Sequence, residues 1–453
     1  MKEPVVAIFD IGKTNKKIIL FNYDLKPVWE YEEKFTEIKD DDGFACDDIE
    51  KIESWVFDTL NSLVNSGEFD LTAVNFTTYG ATIVYLDKNG ERLGPVYNYL
   101  KPIDEKIPER IYRRHGGQDE FCRKTASPAL GMLNSGMQAA SLKYTKPDVF
   151  AKVGTILHFP QYLSYLLTRS VCSEHTSIGC HTALWDFDAM SYHNWTREEY
   201  LPLPGPADIN QLYDIDISGK TIKAGIGIHD SSSSLVPYFT ASKGKFLLLS
   251  TGTWCINMNP FNSEILTAEQ LDHDCLCYMS VTKQPVKSSR LFLGHLHETA
   301  VNSMTEHFRK KPDYYKTVRP DESLLGICKK KYGEKRFFFE NLPYSRELKG
   351  KYDLFTFKTF EEGYHQLMVE LAELTVESID LVIPSDDDTE NIYITGGFAN
   401  NQLFLRLISD AYPTKNVYTS EISNATALGA ALVVLSSLEP DKKPVLNLGL
   451  NQC

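Results

Sequence analysis

The chain predicts an α/β protein with mixed β-sheets flanked by helices, duplicated into two lobes around a cleft. Two observations carry this expectation. First, one kind of turn occurs twice: an apolar strand, a small-residue loop, then a second apolar strand. It runs from Val5 to Leu20 through Asp10-Ile11-Gly12-Lys13-Thr14-Asn15-Lys16-Lys17, and from Phe246 to Ile256 through Ser250-Thr251-Gly252-Thr253-Trp254. Second, strand-like and helix-like segments alternate in both halves, the pattern of layered α/β domains. At 453 residues the chain exceeds a single simple core. A boundary near Phe239 to Lys243 divides it into residues 1–240 and 241–453.

The elements follow in order. After the first hairpin, Phe35 to Glu50 is acidic and irregular, and Ile52 to Leu63 has the apolar spacing of an amphipathic helix. Leu71 to Phe76 reads as a buried strand running into Thr77-Thr78-Tyr79-Gly80, and Thr82 to Leu86 as another, closed by the turn Asp87-Lys88-Asn89-Gly90. Ile103 to Arg169 looks mostly helical, with Val149 to Leu167 a helix broken at Pro160, and Ser173 to Trp185 is polar and strand-like. Ile222 to His229 is a strand delivering Asp230 to a helix start. In the second half, Glu361 to Val382, Leu403 to Ala411 and Ala425 to Ser436 are helices, and Asn391 to Thr395 is a buried strand ending in Gly396-Gly397.

Composition excludes several classes. A net charge of −14 argues against nucleic acid as a partner, because phosphate backbones demand clustered Lys and Arg. The nine cysteines are scattered, and Cys275-x-Cys277 has the wrong spacing for a zinc knuckle or redox pair, so reduced core thiols are expected. With no signal peptide and no membrane-spanning apolar run, the expected location is the cytoplasm, and the sequons at Asn75, Asn194 and Asn424 are chance matches.

Three segments carry chemistry. Asp10 ends an apolar strand just before Gly12, where a carboxylate must be paired or hydrated. It is either a turn residue or a ligand, through water, for a magnesium ion. Lys13 and Lys17 are candidate phosphate contacts, although strand alternation puts one of them on the wrong face. His229-Asp230 is either a plain helix start or a carboxylate placed to accept a hydroxyl proton. The paired glycines Gly396-Gly397 either make a tight turn or let backbone approach a flat ligand such as adenine.

Taken in order, these segments resemble the FGGY carbohydrate kinases of the actin/hexokinase-type ATPase superfamily. Asp10-Ile-Gly-Lys-Thr-Asn stands at the first phosphate loop and Gly227-Ile-His-Asp230 at the catalytic-base segment. Ser250-Thr-Gly-Thr-Trp254 stands at the second phosphate loop, and Thr395-Gly-Gly-Phe-Ala-Asn-Asn401 at the adenosine motif. The resemblance implies two actin-like, ribonuclease H-like lobes with the active site between them, and ATP-dependent phosphorylation of a sugar or polyol in carbohydrate catabolism. Asp230 would be the general base and Asp10 would hold hydrated magnesium. Gly12, Lys13, Thr14, Asn15, Lys17, Thr251, Gly252 and Thr253 would serve the phosphates, and Gly396, Gly397 and Asn400 the adenosine. Tyr79, Gly80, His229 and Asp230 would line the sugar site.

Thr78-Tyr79-Gly80 is similar to the Thr-aromatic-Gly of L-rhamnulose and L-fuculose kinases, which favours a ketose or deoxy-ketose. Three features depart from the family: Tyr97-Asn98-Tyr99-Leu100-Lys101 replaces a Trp/Tyr-Arg-Asp segment, Gln161-Tyr162 stands where many relatives have Asp-Tyr, and Lys13 is unusual in the first loop. The alternatives are a kinase for another sugar or polyol such as xylulose, or a non-catalytic sugar or nucleotide sensor, which would have lost the base. His295 and His297 read as polar loop residues, since no third metal ligand has matching spacing. A homodimer is the default for a soluble enzyme.

Overall fold

The computed structural model describes residues 2–331, 336–339, 352–442 and 444–453. Its two main sheets repeat one plan. In the N-terminal sheet, Pro27–Glu33, Lys16–Asn22 and Pro4–Ile11 form an antiparallel meander, and Asp70–Thr78 and Lys220–Gly225 then add in parallel. In the C-terminal sheet, Pro285–Leu291, Cys255–Asn259 and Phe246–Thr251 make the same meander, extended in parallel by Asn391–Gly396 and Asn416–Ser420. The central strands are buried on both faces, which is why they read as continuous apolar runs. The architecture is the two-lobed α/β fold that the repeated turn predicts.

The helix predicted at Ile52 to Leu63 spans Ile49–Ser66. Asp48 caps it by accepting from the Lys51 amide (3.1 Å), and Gly67 at φ 65° ends it. Two segments differ from expectation. Within Val149 to Leu167, Val153–His158 is a strand paired antiparallel with Ile83–Asp87. The backbones come so close there that a Cβ on Gly154 would lie 2.7 Å from the Asp87 carbonyl. Pro160 therefore sits in the first turn of a new helix, Phe159–Thr168, where its missing N–H costs nothing. Near Ser173 to Trp185, His175–Ile178 forms a single helical turn capped by Glu174.

The strand predicted at Ile222 to His229 is split in two. Lys220–Gly225 pairs with Ala73 and Val74, the chain kinks at Gly227 (φ 84°), and Ile228–His229 then pairs with Thr77 and Thr78. The kink's polar groups are satisfied by buried side chains. Asn75 Oδ1 accepts from the Gly227 amide (3.0 Å), and Gln161 Nε2 donates to the Ile226 and Gly227 carbonyls. Asn75 is thus a buried core residue, inaccessible to glycosylation.

Helix Ala425–Leu438, late in sequence, packs on the N-terminal sheet, with Ala427, Ala431 and Val434 against Val6, Ile8 and Ile19. It crosses helix Asp230–Ala241 very closely. Asn75 Nδ2 donates to its Ala430 carbonyl (3.2 Å), and Ser233 Oγ donates to its Thr426 carbonyl (2.7 Å). Among the described residues, no helix is long and apolar enough to cross a membrane, and eight of the nine cysteines are free and buried.

A Cβ on Gly429 would lie 1.9 Å from the Ser233 carbonyl oxygen. Gly429→Val is therefore expected to wedge the two helices apart and lower stability by about 1–3 kcal/mol in chemical denaturation.

Candidate active site

Strand register decides which residues meet. Pro4–Ile11 and Ile228–His229 both run parallel to Asp70–Thr78, with Asp10 opposite Thr77 and His229 opposite Thr78. The carboxyl ends of three parallel strands therefore deliver Asp10, Tyr79-Gly80 and His229-Asp230 to one edge, the usual ligand position in α/β sheets. Gly80 lies against Cys180 and His229: a Cβ there would be 2.5 Å from Cys180 Sγ and 3.0 Å from His229 Nε2.

Asp230 opens its helix, with His229 in the capping position. Its Oδ1 accepts from the Ser231 amide (2.6 Å) and lies 3.1 Å from His229 Nε2. No hydrogen bond reaches Oδ2 among the described residues, and 28% of the side chain is exposed. Burial pushes the carboxyl up to about 6. His229 is buried, and burial pushes its imidazole down to about 3, so it is neutral. Its tautomer follows from Ser232, whose hydroxyl donates to the Met279 carbonyl (2.8 Å) and so must accept from His229 Nδ1 (3.2 Å). The bare Nε2 then accepts from the Cys180 thiol (3.0 Å), and it offers the Asp230 carboxylate no proton. The result is a basic carboxylate with one oxygen open, the property a proton acceptor needs.

Asp10 is buried, with Oδ2 accepting from the Thr426 hydroxyl (2.7 Å). Burial raises its carboxyl above the ordinary range; Thr426 and Lys17 oppose the rise and the charge of Asp230 adds to it. Lys17 stands directly across the hairpin from Asp10, and its Nζ donates to Asn424 Oδ1 (2.5 Å). Thr14 and Asn15 form the exposed tip, and the Gly12 amide closes the turn onto the Asn15 carbonyl (2.9 Å).

Two expected phosphate contacts have their side chains elsewhere. Lys13 Nζ binds Asp47 (2.8 Å) and Glu37 (3.2 Å), on the side of the hairpin away from Lys17. It shares Asp47 with Lys16, which strand alternation points to the face opposite Lys17. The Thr251 side chain is buried, donating to the Thr395 carbonyl and accepting from the Phe398 amide (3.1 Å). It joins two strands and does not face solvent. Tyr79 is also largely buried, its hydroxyl donating to Asp47 (2.7 Å).

In the C-terminal lobe the parallel pairing of Thr251 with Gly396 brings both loops to one edge. Gly396 has φ 86°, and a Cβ there would lie 1.8 Å from the Thr251 carbonyl oxygen, so only glycine fits. Gly397 faces open space. Gly252, Gly397 and Asn400 line a cavity of about 550 Å³ together with His297, Tyr315, Arg319 and Phe398. Thr253 is exposed beside it in sequence, its carbonyl accepting from the Gly294 amide (3.0 Å).

His297 differs from expectation. It is a buried residue of helix Leu293–His307, its Nε2 3.1 Å from the Tyr364 hydroxyl and its ring edge-on to Tyr315 and Phe398. His295 lies on the same helix, stacked on Phe292. Cys180, Tyr278, Asp47 and Thr426 were not legible as site residues. Tyr278 comes from the C-terminal sheet to pack 5.6 Å from the His229 ring.

A basic carboxylate with a second buried acid nearby at one sheet edge, and a glycine-edged cavity at the other, suit a group-transfer enzyme. The comparisons identify the class further. The model for the FGGY family of carbohydrate kinases, N-terminal domain, matches residues 5–199, and that for the carbohydrate kinase FGGY C-terminal domain matches residues 243–331. A rhamnulokinase from Oceanobacillus iheyensis is 20% identical over 95% of this chain and 92% of its own length. Among solved structures, a carbohydrate kinase from Novosphingobium aromaticivorans is 24% identical with a TM-score of 0.82, covering 100% of this chain and 94% of that one. A xylulose kinase from Lactobacillus acidophilus is 14% identical with a TM-score of 0.75, covering 99% and 93%. At these identities the structural likenesses show the fold. The chain belongs to the FGGY family of carbohydrate kinases.

The raised carboxyl of Asp230 predicts a pH signature. The folded chain holds that proton up to about pH 6, against an ordinary value of 3.8. The folded state therefore binds more protons in this window, and stability falls as pH rises through it. Asp230→Asn is expected to stabilise the protein by about 1–3 kcal/mol at pH 8 and to give no gain below pH 4, as read by thermal unfolding at both pH values.

Proposed function

We propose that the chain transfers the γ-phosphoryl group of ATP to a hydroxyl of a sugar, with a ketose or deoxy-ketose such as L-rhamnulose or L-fuculose as the favoured acceptor. The observation that carries this reading is Asp230: a buried-edge carboxylate with a raised proton affinity and one open oxygen, next to a histidine that cannot protonate it. Such a group accepts the hydroxyl proton as the oxygen attacks phosphorus.

The residues present fit a magnesium nucleotide. Asp10 keeps Oδ1 without a hydrogen-bond partner among the described residues, enough for a water of a hydrated cation, and Lys17 stands beside it. When bound, the magnesium supplies charge neutralisation at the phosphates. Gly252, Gly397 and Asn400 edge a cavity large enough for adenosine, with the Tyr315 and Phe398 rings available to the base. Thr14, Asn15 and Thr253 are exposed on the two phosphate loops. The lobes then have to close over the acceptor, because water would otherwise compete for the phosphoryl group.

Asp230→Asn is expected to cut sugar phosphorylation at least about a hundredfold while ADP binding by calorimetry stays within twofold; retained turnover would remove Asp230 as the base. A coupled ADP-release screen over ketoses, aldoses and polyols identifies the acceptor, and a flat response to all of them would favour a sensor. Because Gly397 faces open space at the cavity edge, Gly397→Leu is expected to raise the KM for ATP about tenfold or more. Stability should change by less than about 0.5 kcal/mol, and an unchanged KM would place the nucleotide elsewhere.

A further inference from the structure

Two of the departures from the family pattern, Lys13 in the first loop and Tyr99 in the following substrate segment, meet in space. Lys13 Nζ lies 5.8 Å from the Tyr79 ring centroid and 6.0 Å from that of Tyr99. Its ammonium is clamped by the buried Asp47 and by Glu37, while 22% of the side chain stays exposed. Asp47 is itself fixed by Lys16 (2.9 Å) and by the Tyr79 hydroxyl. Two carboxylates take two of the three ammonium N–H groups, and one remains. Tyr99 is only partly buried and lies within electrostatic reach of Lys13, Asp47 and Asp230 alike. The ammonium thus sits among Asp47, Tyr79 and Tyr99, apart from the Asp10–Lys17 pair across the hairpin.

We infer that Lys13 is a sugar-recognition residue, its Asp47-clamped ammonium hydrogen-bonding a hydroxyl of a neutral polyhydroxylated substrate beside Asp230. The inference rests on the reading of Asp230 given above. Neutrality of the substrate follows from charge. Lys13 and Lys16 are balanced by Asp47 and Glu37, and the neighbouring Lys101 is tied to Asp40 and Asp42. Arg290 is paired with Asp274. A sugar carboxylate would meet no uncompensated cation there among the described residues and would face the charge of Asp230. A neutral hydroxyl needs only a fixed donor.

The test compares the wild type with Lys13→Met on L-rhamnulose, L-fuculose, D-xylulose and D-gluconate, varying sugar and ATP separately. Lys13→Met should raise the KM for the neutral sugar at least tenfold and leave the KM for ATP within twofold, and the wild type should not use D-gluconate. A rise in the ATP KM with an unchanged sugar KM would return Lys13 to the phosphates and overturn the inference, as would a preference for D-gluconate. Lys13→Arg, which keeps the pair with Asp47, should raise the sugar KM at least threefold even if Lys13→Met fails to fold. If the wild type turns over none of the sugars, the reading of Asp230 falls separately. Calorimetric binding of the same sugars to wild type and Lys13→Met then decides: a tenfold weaker neutral sugar supports the inference, and equal affinities, or none for any neutral sugar, overturn it.

Discussion

The site depends on a buried backbone kink. At Gly227 the chain turns with φ positive, and a Cβ would come within 2.6 Å of the Pro160 carbonyl oxygen. A bent strand inside a core exposes peptide groups that water cannot reach, and each one left unpaired would cost on the order of 1–3 kcal/mol. Asn75 and Gln161 remove that cost with three hydrogen bonds, two of them to the Ile226 and Gly227 carbonyls and one from the Gly227 amide. Because the kink is satisfied, Ile228–His229 can rejoin the sheet in register with Thr77 and Thr78, and Asp230 arrives at the edge where Asp10 already stands. Asn75 also holds the helix that brings Thr426 to Asp10. A single buried amide thus couples the Asp230 segment, the sheet and the buried acid.

The same economy explains the electrostatics. Burial raises the proton affinity of Asp230, and His229 does not offset it: the imidazole is locked as the Nδ1 tautomer by Ser232, and Cys180 occupies its other nitrogen. Asp10 is raised by burial as well, but there a hydroxyl and a lysine oppose the rise. Two carboxylates at one edge acquire different chemistry from the donors around them.

Much of the fold was legible because the central strands are fully buried and the strand–loop–strand unit repeats. The segments that could be read as site residues end strands at polar or glycine positions, as Asp10, His229-Asp230 and Gly396-Gly397 do. The misreadings have definite causes. Gly227 looked like an ordinary strand residue because the hydrogen-bond partners that let it bend, Asn75 and Gln161, are distant in sequence. Val153–His158 was hidden in a helical reading because Pro160 resembles a break and is in fact a start. Lys13 and Lys17 could not be told apart until the hairpin's pairing placed Lys17 across from Asp10 and Lys13 against Asp47. Thr251 carried the pattern of a loop residue, but its hydroxyl is consumed by the neighbouring strand. Cys180, Tyr278 and Thr426 have no local signal, since their roles come only from contacts across the fold.

The central claim is that this kink places Asp230 to take a proton from an acceptor hydroxyl while Asp10 serves the nucleotide's metal. The most direct measurement is a crystal structure of the protein with ADP, Mn²⁺ and the best sugar from the screen, the manganese located by its anomalous signal. The account predicts a sugar hydroxyl within hydrogen-bond distance of Asp230 Oδ2, and the metal reached from Asp10 through water. A sugar bound with no hydroxyl near Asp230, or a metal held away from Asp10, would contradict it.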